Sequence, residues 1–223
     1  MRALRDFVYF AFLVVVLASP ALAQFGRPGP GQRPPEIRGT LNPVIGSGAV
    51  YQSSTGETEI SLVGKEDVGG KQGYWIQIKV NSPEGEMYIK QLRVVDGNTT
   101  TLTRLILQPP QGGPMEMPTA MFGQTTSANV KVDSRLVGTE NVKTAAGTFK
   151  CEHYQANDGS WDSWVAADVP PWGLVKSKDG SGEMVLLRTL TGVADRVKGT
   201  PQKLELPEGM PNKTRPSRAN PSQ

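Results

Sequence analysis

The chain has 223 residues, 37% hydrophobic and 20% charged, with a formal net charge of +3, one cysteine and one histidine. That length suffices for one domain with a sizeable core, and a single cysteine excludes an intramolecular disulfide. The positive charge does not build a nucleic-acid-binding face. With Arg2, Arg5 and Asp6 set aside, 22 basic and 20 acidic side chains remain, residues 24–40 and 199–223 each carry +2, and the body between them is −2. A body of that sign gives phosphate backbones nothing to bind.

Arg2 and Arg5 precede an apolar run from Phe7 to Leu17, and Ala21-Leu22-Ala23 supplies small residues for a cleavage site. The run is shorter than the ~20 apolar residues that span a bilayer, and Ser19-Pro20 interrupts it. The pattern predicts a signal peptide over residues 1–23, cleaved after Ala23, and a periplasmic or extracellular product. The residue immediately after the cleavage site is Gln24, not cysteine, so no anchor of the bacterial lipoprotein type is expected. Residues 24–40 are dense in proline and glycine and bury almost nothing, which predicts a disordered arm.

The body, residues 41–198, alternates apolar and polar residues in short runs closed by turn residues, the pattern of consecutive hairpins. Ser47–Gln52 and Glu57–Gly64 form the first predicted pair. Tyr74, Ile76, Ile78 and Val80 fall on one face of the next strand, with Trp75, Gln77 and Lys79 on the other. Met87–Val95 also fits a helix face, but the flanking turns favour a strand. Asp96-Gly97 then leads into Thr101–Gln108. Pro109–Phe122 reads as a long irregular loop, and strands resume from Val130 to Thr191, with a further one over Val193–Lys198. Residues 199–223 read as a disordered tail. The expected class is all-β, with about ten strands and no helix after the signal peptide.

Chemistry-bearing residues are few. His153 is the sole base for a nucleophile, and no G-x-S-x-G elbow is present. Cys151 and His153 lie two apart on a strand beside Phe149, which reads as a core-facing stripe, since a metal site needs three or four ligands. Met115, Met117 and Met121 offer thioethers for Cu(I), or an adaptable cover for an apolar cleft. Asn157, Asp158, Ser160 and Asp162 resemble a calcium loop but lack its closing bidentate glutamate, so Asn157-Asp158-Gly159 reads as a hairpin turn.

Two segments, V-K-T-A-A-G-T-F-K-C-E-H-Y (Val142–Tyr154) and W-V-A-A-D-V-P-P-W-G-L-V-K-S (Trp164–Ser177), resemble a group of uncharacterised secreted bacterial proteins. These are similar to outer-membrane lipoprotein carriers of the Lol type (LolA/LolB-like). A weaker likeness extends over Tyr74–Gln108. The resemblance implies a strongly curved antiparallel sheet, or half-open β-barrel, with a concave apolar face suited to acyl chains. Phe149, Cys151, Trp164, Trp172 and Met184 are the side chains expected to line it. The sequence departs from those carriers in lacking the helices they pack into the barrel mouth, and Ala146 stands where the group often has proline. Pro170 and Pro171 cannot donate ladder hydrogen bonds, so the chain is expected to leave the sheet at Val169 and cross the barrel end with Trp172 as a plug. The leading expectation is a non-enzymatic binder of an apolar or lipid-like ligand, without cofactor. The alternatives are a structural or protein-interaction β-module with a solid core, and Cu(I) binding through Met115, Met117 and Met121.

Overall fold

The computed structural model describes residues 38–204, except 83, 120–124, 128 and 132–133. The predicted signal peptide, most of the arm, Met121 and residues 205–223 lie outside the described residues. The strands are β1 (Ser47–Ser53), β2 (Gly56–Val68), β3 (Lys71–Ser82), β4 (Gly85–Asp96), β5 (Thr99–Gln108), β6 (Met115–Met117) and β7 (Thr125–Ser127). They are followed by β8 (Ser134–Thr144), β9 (Gly147–Ala156), β10 (Trp161–Val165), β11 (Leu174–Asp179), β12 (Gly182–Leu190) and β13 (Gln202–Lys203). No α-helix occurs among the described residues, of which Thr119 alone has a helical, 3-10 conformation.

All thirteen strands belong to one sheet. Its order is β13-β6-β5-β4-β3-β2-β1-β12-β11-β10-β9-β8, with β7 pairing β5 off that path. Every described pairing is antiparallel except β13 with β6. Short turns join β1 to β5, β8 to β10 and β11 to β12, as local hairpin signals dictate, while a longer connection, residues 166–173, joins β10 to β11. The single non-local junction within that path of long strands is β1 against β12, from Gly48↔Leu190 to Gln52↔Val185.

The half-open barrel expected from the resemblance is not what forms. The strand path is open from β13 to β8, and its two ends do not pair among the described residues. Length explains this: β8 has 11 residues, whereas β6 has 3 and β13 has 2. Edges so unequal cannot complete the ladder that closure of a barrel requires. The strand count also exceeds the expected ten. Met115–Met117 forms β6 inside the predicted loop, and β13 lies in the stretch read as tail.

Instead of curling around a ligand, the sheet packs against its own connections. On β3, Tyr74, Ile76 and Ile78 join the main core while Trp75 faces a second cluster, the two faces that strict alternation predicts. The main core combines Tyr51, Ile60, Leu62, Leu174, Met184 and Leu186, each at most 2% exposed, with Ala166, Val169 and Trp172 from the β10–β11 connection. That connection begins at Val165, four residues before the predicted exit at Val169. It is closed by Ala166 N–H donating to Gly173 O (2.8 Å) and Gly173 N–H to Val169 O (2.6 Å). Gly173 has φ +68, and a Cβ there would stand 2.8 Å from Val165 Cγ1, so only glycine fits this bend. Trp172 is therefore a core residue packed against a sheet face, with no barrel end to plug.

The opposite face is covered by Val193–Lys198, expected as a strand but free of strand pairing. Arg196 N–H donates to the buried Gln77 Oε1 (2.8 Å), Asp195 pairs with Lys90, and Val197 packs on Trp75 and Leu92. At the other end of the fold, residues assigned to the arm are clamped. Thr40 N–H donates to Trp172 O (2.7 Å), Asn42 N–H to Pro171 O (2.7 Å), and Val130 N–H to Gly39 O (3.0 Å). A Cβ on Gly39 would lie 2.0 Å from Trp172 O. Gly39→Ala is expected to destabilise the fold by about 1–3 kcal/mol, the usual cost of overpacking. Gly113→Ala, which meets nothing within 4 Å, should change it by less than ~0.5 kcal/mol. Chemical denaturation of the two variants checks the difference.

Candidate functional site

β8 is the long edge of the sheet. It pairs with β9 from Ser134↔Ala156 to Thr144↔Gly147, and no described strand pairs with its other side. An exposed edge carries a row of unpaired N–H and C=O groups and is a template for another strand. Proteins usually blunt such edges with proline, lysine, bulges or shortness; β8 is long, has no proline and carries its one lysine, Lys143, near its end, while Leu136 and Val137 are 56% and 54% exposed. A register shift between Leu136 and Gly138 makes Val137 an extra residue against β9, a β-bulge that re-aims neighbouring side chains.

A ladder of charged and aromatic groups runs inward from this edge across five strands. Glu140 Oε1 on β8 accepts from Trp164 Nε1 on β10 (2.5 Å) and lies 3.5 Å from His153 Nδ1 on β9. The His153 and Trp164 rings stack with centroids 4.3 Å apart and planes 12° from parallel. The registers Trp164↔His153 and Trp164↔Lys176 set this up, since cross-strand partners share a face. Lys176 Nζ lies 5.2 Å from the Trp164 ring and 2.7 Å from Glu183 Oε2 on β12. Asp162 binds His153 Nε2 at 2.8 Å and accepts from Gln155. With His153 from one neighbouring strand and Lys176 from the other, Trp164 already has partners on both sides.

A parallel arrangement surrounds Trp75. Its Nε1 donates to Glu66 (2.9 Å), Lys90 Nζ and the Arg104 guanidinium lie 4.5 and 5.3 Å from the ring, and Arg104 forms two hydrogen bonds with Glu116. The bonded Arg104 holds the Glu116 carboxyl below the usual range, and Arg104 is raised in turn. These contacts fix β6, and through it β13, to β5.

The five side chains expected to line an acyl cavity are placed as follows. Cys151 (0% exposed), Met184 (2%) and Trp172 (6%) lie within the main core, and Phe149 and Trp164 are half-buried against it. Cys151 Sγ lies 3.6 Å from Phe149 O, while His153 is bonded to Asp162 and stacked on Trp164; the two residues keep separate partners. Met115 and Met117 lie two apart on β6, with Met115 opposite Leu107 and Gln202. Among the described residues no group of three His, Cys, Asp or Glu side chains is arranged to hold a metal. Asp158 accepts from Ser160 N–H in the β9–β10 turn, an ordinary turn contact. A surface cleft of about 530 Å³ is lined by polar and charged residues including Glu86, Tyr88, Arg196 and Lys198, with Tyr88 pushed up to about 12 by burial and its bond to Glu86. Trp164 was expected as a lining side chain of a concave sheet, whereas Leu136 and Val137 were not singled out. Strand alternation alone does not reveal which strand ends the sheet.

Burial, followed by the charges of Asp168 and Glu140, raises the Cys151 thiol to about 11. A raised thiol pKa means the thiolate forms only as pH climbs toward that value. At pH 8, alkylation of native Cys151 by iodoacetamide should therefore be at least about a hundredfold slower than that of a free thiol. Unfolding in urea should restore the normal rate. Rapid labelling of the folded protein would reveal an open interior.

No family model matches the chain, and no curated protein matches it. Among solved structures, one described as a "putative lipoprotein" from Parabacteroides distasonis ATCC 8503 is 14% identical, with a TM-score of 0.34, covering 70% of this chain and 100% of that one. Another, described as a "putative exported protein with YmcC-like fold" from Bacteroides fragilis NCTC 9343, is 14% identical with a TM-score of 0.34, covering 69% and 99%. At that TM-score the likeness carries no argument about fold or activity.

Proposed function

We propose that this chain is a secreted, non-enzymatic protein-interaction module, built on a solid β core and contacting its partner through the edge of β8. The observation that carries the reading is the packing of Cys151, Met184 and Trp172 with Tyr51 and Leu174. These are the side chains that a carrier of acyl chains would turn toward its ligand, and here they bury one another. Secretion rests on the sequence of residues 2–23. No helix among the described residues is long and apolar enough to cross a membrane.

Strand addition suits this edge physically. Backbone hydrogen bonds supply affinity without a pocket, and alternate side chains supply selectivity. Leu136 and Val137 provide the apolar contact, and the Glu140–His153–Trp164 ladder holds β8, β9 and β10 in fixed register behind it. A rigid edge loses little conformational freedom when a second strand docks.

Two measurements test the proposal. Titration with a fluorescent long-chain fatty acid, and native mass spectrometry after gentle purification, should show no saturable uptake; stoichiometric binding would sink the solid-core reading in favour of an apolar ligand. Panning a library of displayed linear peptides against the chain beginning at Gln24 should select extended sequences whose binding is lost in Val137→Lys. Lysine on an edge strand blocks pairing while leaving the fold intact. Binders indifferent to that change would place the contact elsewhere and contradict the proposal.

A further inference from the structure

Deepening that reading, and resting on it, we propose that the strand received by β8 is β8 of a second copy, so that two sheets join edge to edge about a twofold axis. In an antiparallel pair related by a twofold through the sheet, residues directly opposite must lie on the same face. In a regular strand Arg135 and Glu140 are five residues apart and lie on opposite faces. The bulge changes this.

Arg135 pairs with Gln155, Gly138 with His153 and Glu140 with Cys151, and these three β9 residues alternate onto one face. Leu136 pairs with Tyr154, Thr139 with Glu152 and Asn141 with Lys150, on the other face. The extra residue at Val137 thus brings Arg135 and Glu140 to the same face. With the axis between Val137 and Gly138, Arg135 of each copy stands opposite Glu140 of the other, Leu136 opposite Thr139, and Ser134 opposite Asn141. Every one of these pairs is face-matched. The charges complement one another twice, and Leu136 and Val137 of both copies gather beside the axis.

The groups required are placed to take part. Both described contacts of Glu140 are made by Oε1, leaving Oε2 for a guanidinium, and Arg135 is held over the strand by its Nη2 bond to Gln155 (2.5 Å). Leu136 and Val137, more than half exposed, would be covered. Slipping the pairing by one residue sets Arg135 opposite Asn141 or Thr139, both uncharged and on the other face, so the charges also select the register.

Light scattering on the eluting chain from Gln24 tests this through charge reversal. The unsubstituted chain is expected to elute as a dimer. Arg135→Glu sets a second carboxylate opposite Glu140 at both ends of the pair, and Glu140→Arg places two arginines together, so each alone should weaken dimerisation at least about tenfold. An equimolar mixture of the two variants joins each substituted residue to its opposite charge and should elute as a heterodimer, with far-ultraviolet circular dichroism confirming that each variant is folded. A monomeric unsubstituted chain, or variants that dimerise as well as it does, would overturn the proposal. So would a mixture that stays monomeric. A monomer that still binds displayed peptides through Val137 would leave the interaction module standing and identify a foreign strand as its partner.

Discussion

Burial of the Ala166–Gly173 turn against the sheet is the interaction on which the rest of this structure depends. Trp172 packs in one cluster with Tyr51, Leu174 and Met184, and its indole N–H is buried with no hydrogen-bond partner among the described residues. Leaving such a donor unpaired costs about 1–3 kcal/mol, so the ring is held there by its apolar area and packing. The backbone of the same turn receives the incoming chain, through Pro171 O and Trp172 O bonded to Asn42 and Thr40. One short connection therefore packs into the core and orders the N-terminal approach.

A sheet with a filled interior still has edges, and the two ends of this one are managed differently. The β6–β13 end is reduced to short strands tied down by Arg104–Glu116, while the Val193–Lys198 strap crosses the adjoining face. The β8 end is long, interrupted by a single bulge, and apolar at Leu136 and Val137. Such asymmetry is why the proposed association is placed at β8. The stacked His153 and Trp164 hold β9 and β10 in register behind that place, and Glu140 links the stack to the edge itself.

Much of the local structure was legible in the sequence. Alternation placed Tyr74, Ile76 and Ile78 on one face and Trp75 and Gln77 on the other, and turn residues at Asp96-Gly97 and Asn157-Asp158-Gly159 marked hairpins. Closure was not legible, because whether a sheet becomes a barrel depends on the relative lengths of edge strands that are distant in sequence. The half-barrel expectation came from the Val142–Tyr154 and Trp164–Ser177 segments, which specify a hairpin and a turn but not where the sheet ends. Composition hid the clamp at Gly39 and Thr40 within a proline- and glycine-rich stretch, and hid β6 among the prolines and glycines around Met115–Met117. Parity correctly grouped Phe149, Cys151 and His153 on one face. It could not show that the first two enter the core while His153 stacks on a neighbour's tryptophan.

The central claim is that the protein fills its own interior, with Trp172 as the principal filler. The most direct measurement is the unfolding free energy of Trp172→Ala from denaturant titration, with binding of a small apolar dye followed in parallel. A filled core predicts a loss of about 3–5 kcal/mol and dye uptake that appears only in the variant, where the missing ring leaves a cavity. Unchanged stability, together with dye uptake by the unsubstituted chain, would contradict the account and show that the interior was already open.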